Sequence, residues 1–117
     1  MEQLELFKPE RAIRQWLRRR LAKLPIYAFS PVQTGRGAAT VDLLLCVAGR
    51  FWAVEVKGER TRLTPRQQGV LDAVEKAGGV ARVVRGQAGA EAFIRELERE
   101  LAVPGTSGSS WSSLRSG

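Results

Sequence analysis

Val41-Asp42-Leu43-Leu44-Leu45-Cys46-Val47-Ala48-Gly49-Arg50-Phe51-Trp52-Ala53-Val54-Glu55-Val56-Lys57-Gly58 is the stretch that decides the fold. Two apolar runs, Val41 to Ala48 and Phe51 to Lys57, flank Gly49-Arg50, whose glycine suits the first position of a type II′ turn. The pattern predicts a hairpin whose first strand is buried on both faces. With Gly49-Arg50 as the whole loop, Ala48 faces Phe51, Leu44 faces Glu55 and Asp42 faces Lys57. Directly opposed residues share one face of a sheet, so Asp42, Glu55 and Lys57 project to the same side. Opposed Cβ atoms lie about 5 Å apart and diagonal ones about 7–8 Å, which lets both carboxylates reach one ion. A loop longer or shorter by one residue would reverse the faces.

Charges in strands this apolar call for a reason, because an isolated buried carboxylate is costly unless paired or metal-bound. Two readings stand side by side. In one, Asp42 caps the strand start while Glu55 and Lys57 occupy an exposed strand end. In the other, the three residues form a site.

Outward from the hairpin, Thr64-Pro65-Arg66-Gln67 announces a helix: an N-cap threonine, a proline at the first helical position and a glutamine at the capping-box position. Val70, Leu71, Val74 and Ala77 supply its apolar stripe, and Gly78-Gly79 ends it. Val80 to Val84 follows as a strand, and about Ala90 to Leu101 as a last helix burying Phe93, Ile94, Leu97 and Leu101. Upstream, a helix from about Pro9 to Lys23 buries Ile13, Trp16, Leu17, Leu21 and Leu24. Its other face carries Arg11, Arg14, Arg18, Arg19 and Lys23, either as a solvated surface or as a phosphate-contacting one. A short strand near Ile26 to Val32 leads into Gln33-Thr34-Gly35-Arg36-Gly37, a basic loop that is either a connector or a follower of a DNA backbone. The order is α-β-β-β-α-β-α, an α/β fold. Residues 1–103 read as one domain and 104–117 as a Gly/Ser-rich flexible tail.

Composition narrows the chemistry. The 117 residues hold one cysteine and no histidine. That excludes an internal disulfide, a Cys/His zinc site, and Ser-His or Cys-His nucleophilic machinery. Carboxylates and lysine must carry any catalysis, and an oxygen-bound metal points to Mg²⁺ or Mn²⁺. The net charge of +7 favours a polyanionic partner. No apolar run has the length of a membrane span and the N-terminus is charged, so the expected location is cytoplasmic.

With the elements in place, Asp42 followed by Glu55-Val56-Lys57 resembles the D…ExK signature of PD-(D/E)XK nucleases. Leu63-Thr64-Pro65-Arg66-Gln67 and the helix end Ala77-Gly78-Gly79 are similar to the VRR-NUC branch of that superfamily. The likeness covers roughly residues 10 to 95. It implies an αβββαβ restriction-endonuclease-like core with a mixed four-stranded sheet, to which this chain adds a C-terminal helix. It also implies Mg²⁺ or Mn²⁺, cleavage of DNA, often branched, to 5′-phosphate products, and a homodimer, for which Trp52 and the last helix are candidate surfaces.

Carried over by position, the resemblance makes Asp42 and Glu55 metal ligands and has Lys57 orient or activate the attacking water. Gln67 matches a glutamine near the family's active site, although the capping box accounts for it equally. Glu10 matches an acidic residue on the first helix and a further metal ligand, although a first-turn glutamate also suits the helix dipole. Arg14, Arg18, Arg36, Lys57, Arg62 and Arg66 are the candidate DNA contacts. One departure is Val41, which stands where the family often has proline. The rival expectation is a catalytically silent nucleic-acid-binding domain that keeps the nuclease fold.

Overall fold

A computed structural model describes residues 9–31 and 41–102. The elements run α1 (Glu10–Leu21), β1 (Tyr27–Phe29), β2 (Leu43–Val47), β3 (Arg50–Lys57), α2 (Pro65–Lys76), β4 (Val80–Arg85) and α3 (Gly86–Ala102). The expected order is therefore observed. The strands form one mixed sheet in the order β1-β2-β3-β4. The first three are antiparallel neighbours, and β4 is parallel to β3 across the α2 crossover.

The alternation of side chains along the strands divides the core in two. On one face Leu43, Leu45, Val47, Trp52, Val54, Val56, Val80 and Val84 pack against Ile13, Leu17 and Leu21 of α1 and Phe93, Ile94 and Leu97 of α3. On the other face a smaller cluster of Val41, Ala53 and Leu71, with Leu44, Val70, Val74 and Val83 around it, seats α2. Of the expected α2 stripe only Leu71 is buried; Val70 and Val74 are half-buried and Ala77 is exposed. Among the described residues α2 covers only part of that sheet face.

Four expectations are corrected. The hairpin loop is Ala48-Gly49, not Gly49-Arg50, since Val47 pairs with Arg50. Both loop residues have positive φ, 51° and 82°, as a type I′ turn requires. Strand β2 is not buried on both faces: Cys46 is exposed and Leu44 half-buried. Helix α3 starts at Gly86, whose φ of 65° lets the chain turn straight from β4 into the helix. Finally, Trp52 is only 2% exposed. Its ring lies 5.9 Å from that of Phe93, with the Arg82 guanidinium over it at 5.3 Å, so it cannot form a dimer surface.

The shorter elements differ in detail. Strand β1 spans three residues, all exposed, and Val32, Arg36 and the tail lie outside the described residues. The capping box at α2 is complete: Thr64 Oγ1 accepts from the Gln67 amide at 3.1 Å, and Gln67 Oε1 accepts from the Thr64 amide at 3.0 Å.

An alanine at φ 51° is strained, because the left-handed region brings Cβ against the following carbonyl. Ala48→Gly is expected to stabilise the protein by about 1 kcal/mol. The urea unfolding midpoint checks this, and an unchanged or lower midpoint contradicts the turn assignment.

Candidate active site

The corrected hairpin keeps the acidic residues on one face but changes who faces whom. Moving the two-residue loop back by one position shifts the pairing by two residues, and side-chain direction repeats every two. Continuing the observed register by one residue sets Asp42, not Leu44, opposite Glu55. Asp42 stands just before β2, and its carboxylate takes over from the ladder there. Oδ2 accepts the Val56 amide at 2.8 Å. This bond ties the start of β2 to the end of β3.

Glu55 and Lys57 are buried, 3% and 6% exposed, so the reading of an exposed strand end does not hold. Glu55 Oε2 accepts from Gln67 Nε2 at 2.8 Å and lies 3.6 Å from Lys57 Nζ. Oε1 of the same carboxyl is buried and has no hydrogen-bond donor among the described residues. Burial, and then the negative charge of Asp42, pushes the Glu55 carboxyl up from 4.5 to about 7, against the opposing pull of Lys57. The Asp42 amide also favours the ionised form, without a well-formed hydrogen bond to Oε1.

Gln67 thus plays both roles that the sequence left open. Its carbonyl oxygen completes the helix cap while its amide nitrogen holds the buried carboxylate. The capping box fixes the side chain, and the side chain fixes Glu55.

Helix α1 brings the remaining charges. Glu10 passes beside Gly58, where a Cβ on the glycine would stand 3.7 Å from Glu10 Cγ. Arg14 lies between the acids, 3.4 Å from Glu10 Oε1 and 3.7 Å from Asp42 Oδ2. Among the described residues no three acidic or cysteine side chains form a metal-holding group, so Glu10 is not gathered with Asp42 and Glu55 into one cage. Arg14 is turned toward carboxylates where a free phosphate contact was expected. The Glu10–Arg14 spacing of four residues is the sequence signal for that pair. The link to Asp42 spans too much chain to have been read.

The other candidate cations lie further out. Arg18 is exposed and lines a shallow cleft with Tyr27 and Ser30. Arg62, between β3 and α2, and Arg66, in the first turn of α2, are exposed. Arg36 lies outside the described residues.

The donor set suits a hard divalent cation. Two neighbouring carboxylates, one with a buried oxygen lacking a donor, supply hard oxygen ligands. Mg²⁺ is commonly held by one or two carboxylates, with water and phosphate completing its shell.

Fold and site together define an α/β nuclease-fold domain. One solved structure described as a "VRR_NUC domain" is 26% identical to this chain and superposes with a TM-score of 0.63, covering 74% of this chain and 94% of that one. A second, described as a "VRR_NUC domain protein", is 17% identical with a TM-score of 0.65, covering 77% of this chain and 88% of that one. The chain thus shares the fold of these VRR_NUC domain structures. No protein-family model matches the sequence, and no curated protein matches it significantly. Among the described residues no helix is long and apolar enough to cross a membrane.

The raised Glu55 value fixes the sign of a pH effect. The folded chain holds this proton more tightly than the unfolded chain does. The resulting stability is complete below about pH 4.5 and is lost as pH rises through about 7. Without divalent cations, Glu55→Gln is expected to be more stable than the parent at pH 8, by up to about 3 kcal/mol. The advantage should vanish near pH 4.5. Denaturant titrations at the two pH values check this, and identical pH dependence in both proteins contradicts it.

Proposed function

We propose that this domain is a Mg²⁺- or Mn²⁺-dependent DNA endonuclease that hydrolyses phosphodiester bonds, with a preference for branched or junction DNA. One observation carries the reading: a buried glutamate beside an aspartate, with one carboxylate oxygen lacking a donor, at a strand end that also carries a buried lysine. The likeness to VRR_NUC domain structures and the net charge of +7 support it.

Asp42 and Glu55 would hold the cation. When bound, it polarises a phosphate oxygen and lowers the pKa of a water molecule. Gln67 holds Oε2 of Glu55, which leaves Oε1 as the carboxylate oxygen without a donor among the described residues. Lys57 is kept desolvated at 3.6 Å from Glu55, where its positive charge stabilises negative charge building on the phosphate and orients the attacking water. In-line attack then breaks the bond to the 3′-oxygen and leaves a 5′-phosphate. Arg14, held by Glu10 and Asp42, turns to the DNA backbone once the acids have another cation. Glu10 therefore acts on the pair through Arg14. Arg18, Arg62, Arg66 and Arg36 supply phosphate contacts that position the strand without reading its bases. A homodimer would place two such sites about a two-fold axis, which suits branched DNA.

A catalytically silent nucleic-acid-binding domain is the second reading, favoured by Arg14 already neutralising the acids it touches. Cleavage separates the two. Purified protein is expected to cut flap or four-way-junction DNA in Mg²⁺ or Mn²⁺ and to lose that activity in chelator. Asp42→Asn, Glu55→Gln and Lys57→Ala should each lower the rate at least about a hundredfold while leaving the circular dichroism spectrum and most DNA binding intact. Metal-dependent cleavage undiminished in Asp42→Asn, or absent from the parent on every DNA form, overturns the proposal.

A further inference from the structure

The parallel pair β3–β4 ends in two cations. Lys57 and Arg85 are direct partners in its register, one rank beyond Glu55 and Val83 on the same face of the sheet. The residue before Arg85, Val84, packs on the opposite face with α1 and α3, as alternation along β4 requires. Neighbouring strands lie about 4.8 Å apart and rise about 3.3 Å per residue. The Arg85 backbone therefore stands about 5 Å from that of Lys57 and about 8 Å from that of Glu55.

Like charges opposed on adjacent strands destabilise a sheet. Lys57 has Glu55 at 3.6 Å to offset its charge. Among the described residues Arg85 has no ion-pair partner. Its hydrogen bond there runs from Nη1 to the carbonyl oxygen of Thr61, a neutral acceptor. A guanidinium carries five N–H donors, so most of them are uncommitted on this exposed side chain.

The bond to Thr61 also fixes where the charge sits. The loop after β3 rests on the β4–α3 junction at two points. Arg85 holds the Thr61 carbonyl, and the Glu59 side chain lies over Gly86, where a Cβ would come within 2.7 Å of Glu59 Cγ. The same loop borders the acids: a Cβ on Gly58 would stand 3.3 Å from Thr61 Oγ1 and 3.7 Å from Glu10 Cγ. Arg85 is thus tethered by a neutral group at the edge of the acidic site, paired in register with a buried ammonium.

We propose that Arg85 grips a backbone phosphate of the bound DNA strand on the β4 side of Lys57. A guanidinium matches a phosphate with two parallel N–H donors, and the anion offsets the repulsion between Arg85 and Lys57. The inference rests on the nuclease reading and adds one substrate contact to it.

The test is the salt dependence of DNA binding, read by fluorescence anisotropy in metal-free buffer with a labelled four-way junction. Each phosphate contact contributes about 0.9 to the slope of log K against log salt. Arg85→Gln, which removes the charge, is expected to reduce that slope by about 0.9. Arg85→Lys keeps the charge and should retain the parent's slope. Lys76→Ala removes an exposed cation from the far end of α2 and should leave the slope unchanged. Melting temperatures close to the parent's are expected for all three, because both side chains are exposed.

An unchanged slope in Arg85→Gln overturns the contact and leaves Arg85 as a tether of the loop, with the nuclease reading intact. An equal loss of slope in Arg85→Lys overturns it as well, since the tether and not the charge would then be responsible. So does an equal loss in Lys76→Ala, which would make overall charge the cause. A parent protein that does not bind the junction removes the nuclease reading together with the contact.

Discussion

A buried carboxylate that lacks a donor on one oxygen is costly, and much of this domain is arranged around Glu55. The residue stands in β3 between Val54 and Val56, both fully buried on the opposite face. Its proton is held up to about 7 by burial and by the Asp42 charge. Two devices contain the cost. Gln67 donates to Oε2 from a helix start locked by its own capping box, and Lys57 brings an ammonium to the same oxygen. Neither reaches Oε1, so the compensation is left incomplete at that oxygen among the described residues.

Asp42 ties this arrangement to the backbone. By accepting the Val56 amide it continues the β2–β3 ladder beyond the last paired residue. The aspartate is thus a structural splint and a charge next to Glu55. Arg14 offsets part of that charge from α1, and Glu10 holds Arg14 in turn. The arrangement is mutually dependent. The hairpin sets the faces, α2 supplies the amide, and α1 supplies the Arg14 cation.

Much of this could be read from the chain because the signals are local. The capping box at Thr64 and Gln67 and the apolar stripe of α1 each need only a few neighbouring residues. The hairpin shows where local reading fails and why the failure was harmless. Gly49-Arg50 and Ala48-Gly49 are both acceptable two-residue loops, and nothing nearby forbade alanine at positive φ. Because both loops have the same length, Asp42, Glu55 and Lys57 kept one face even though their pairing changed. Trp52 was misjudged for a different reason. Strand alternation gives two faces but not which helix covers each, and Trp52 turned out to face α3. Arg14 reaching Asp42, and the exposure of Tyr27, Phe29 and Phe51 among the described residues, are products of packing between distant segments. Residues 32–40, with Arg36 among them, lie outside the described structure.

The account stands or falls on whether Asp42 and Glu55 share one cation. A crystal of the protein grown with Mn²⁺, measured at a wavelength where manganese scatters anomalously, answers this without reference to activity or substrate. The predicted result is a single anomalous peak within about 2.5 Å of a carboxylate oxygen of each residue, with Arg14 turned away from Asp42. Data from well-ordered crystals with no peak between the two carboxylates, at a saturating Mn²⁺ concentration, would contradict it.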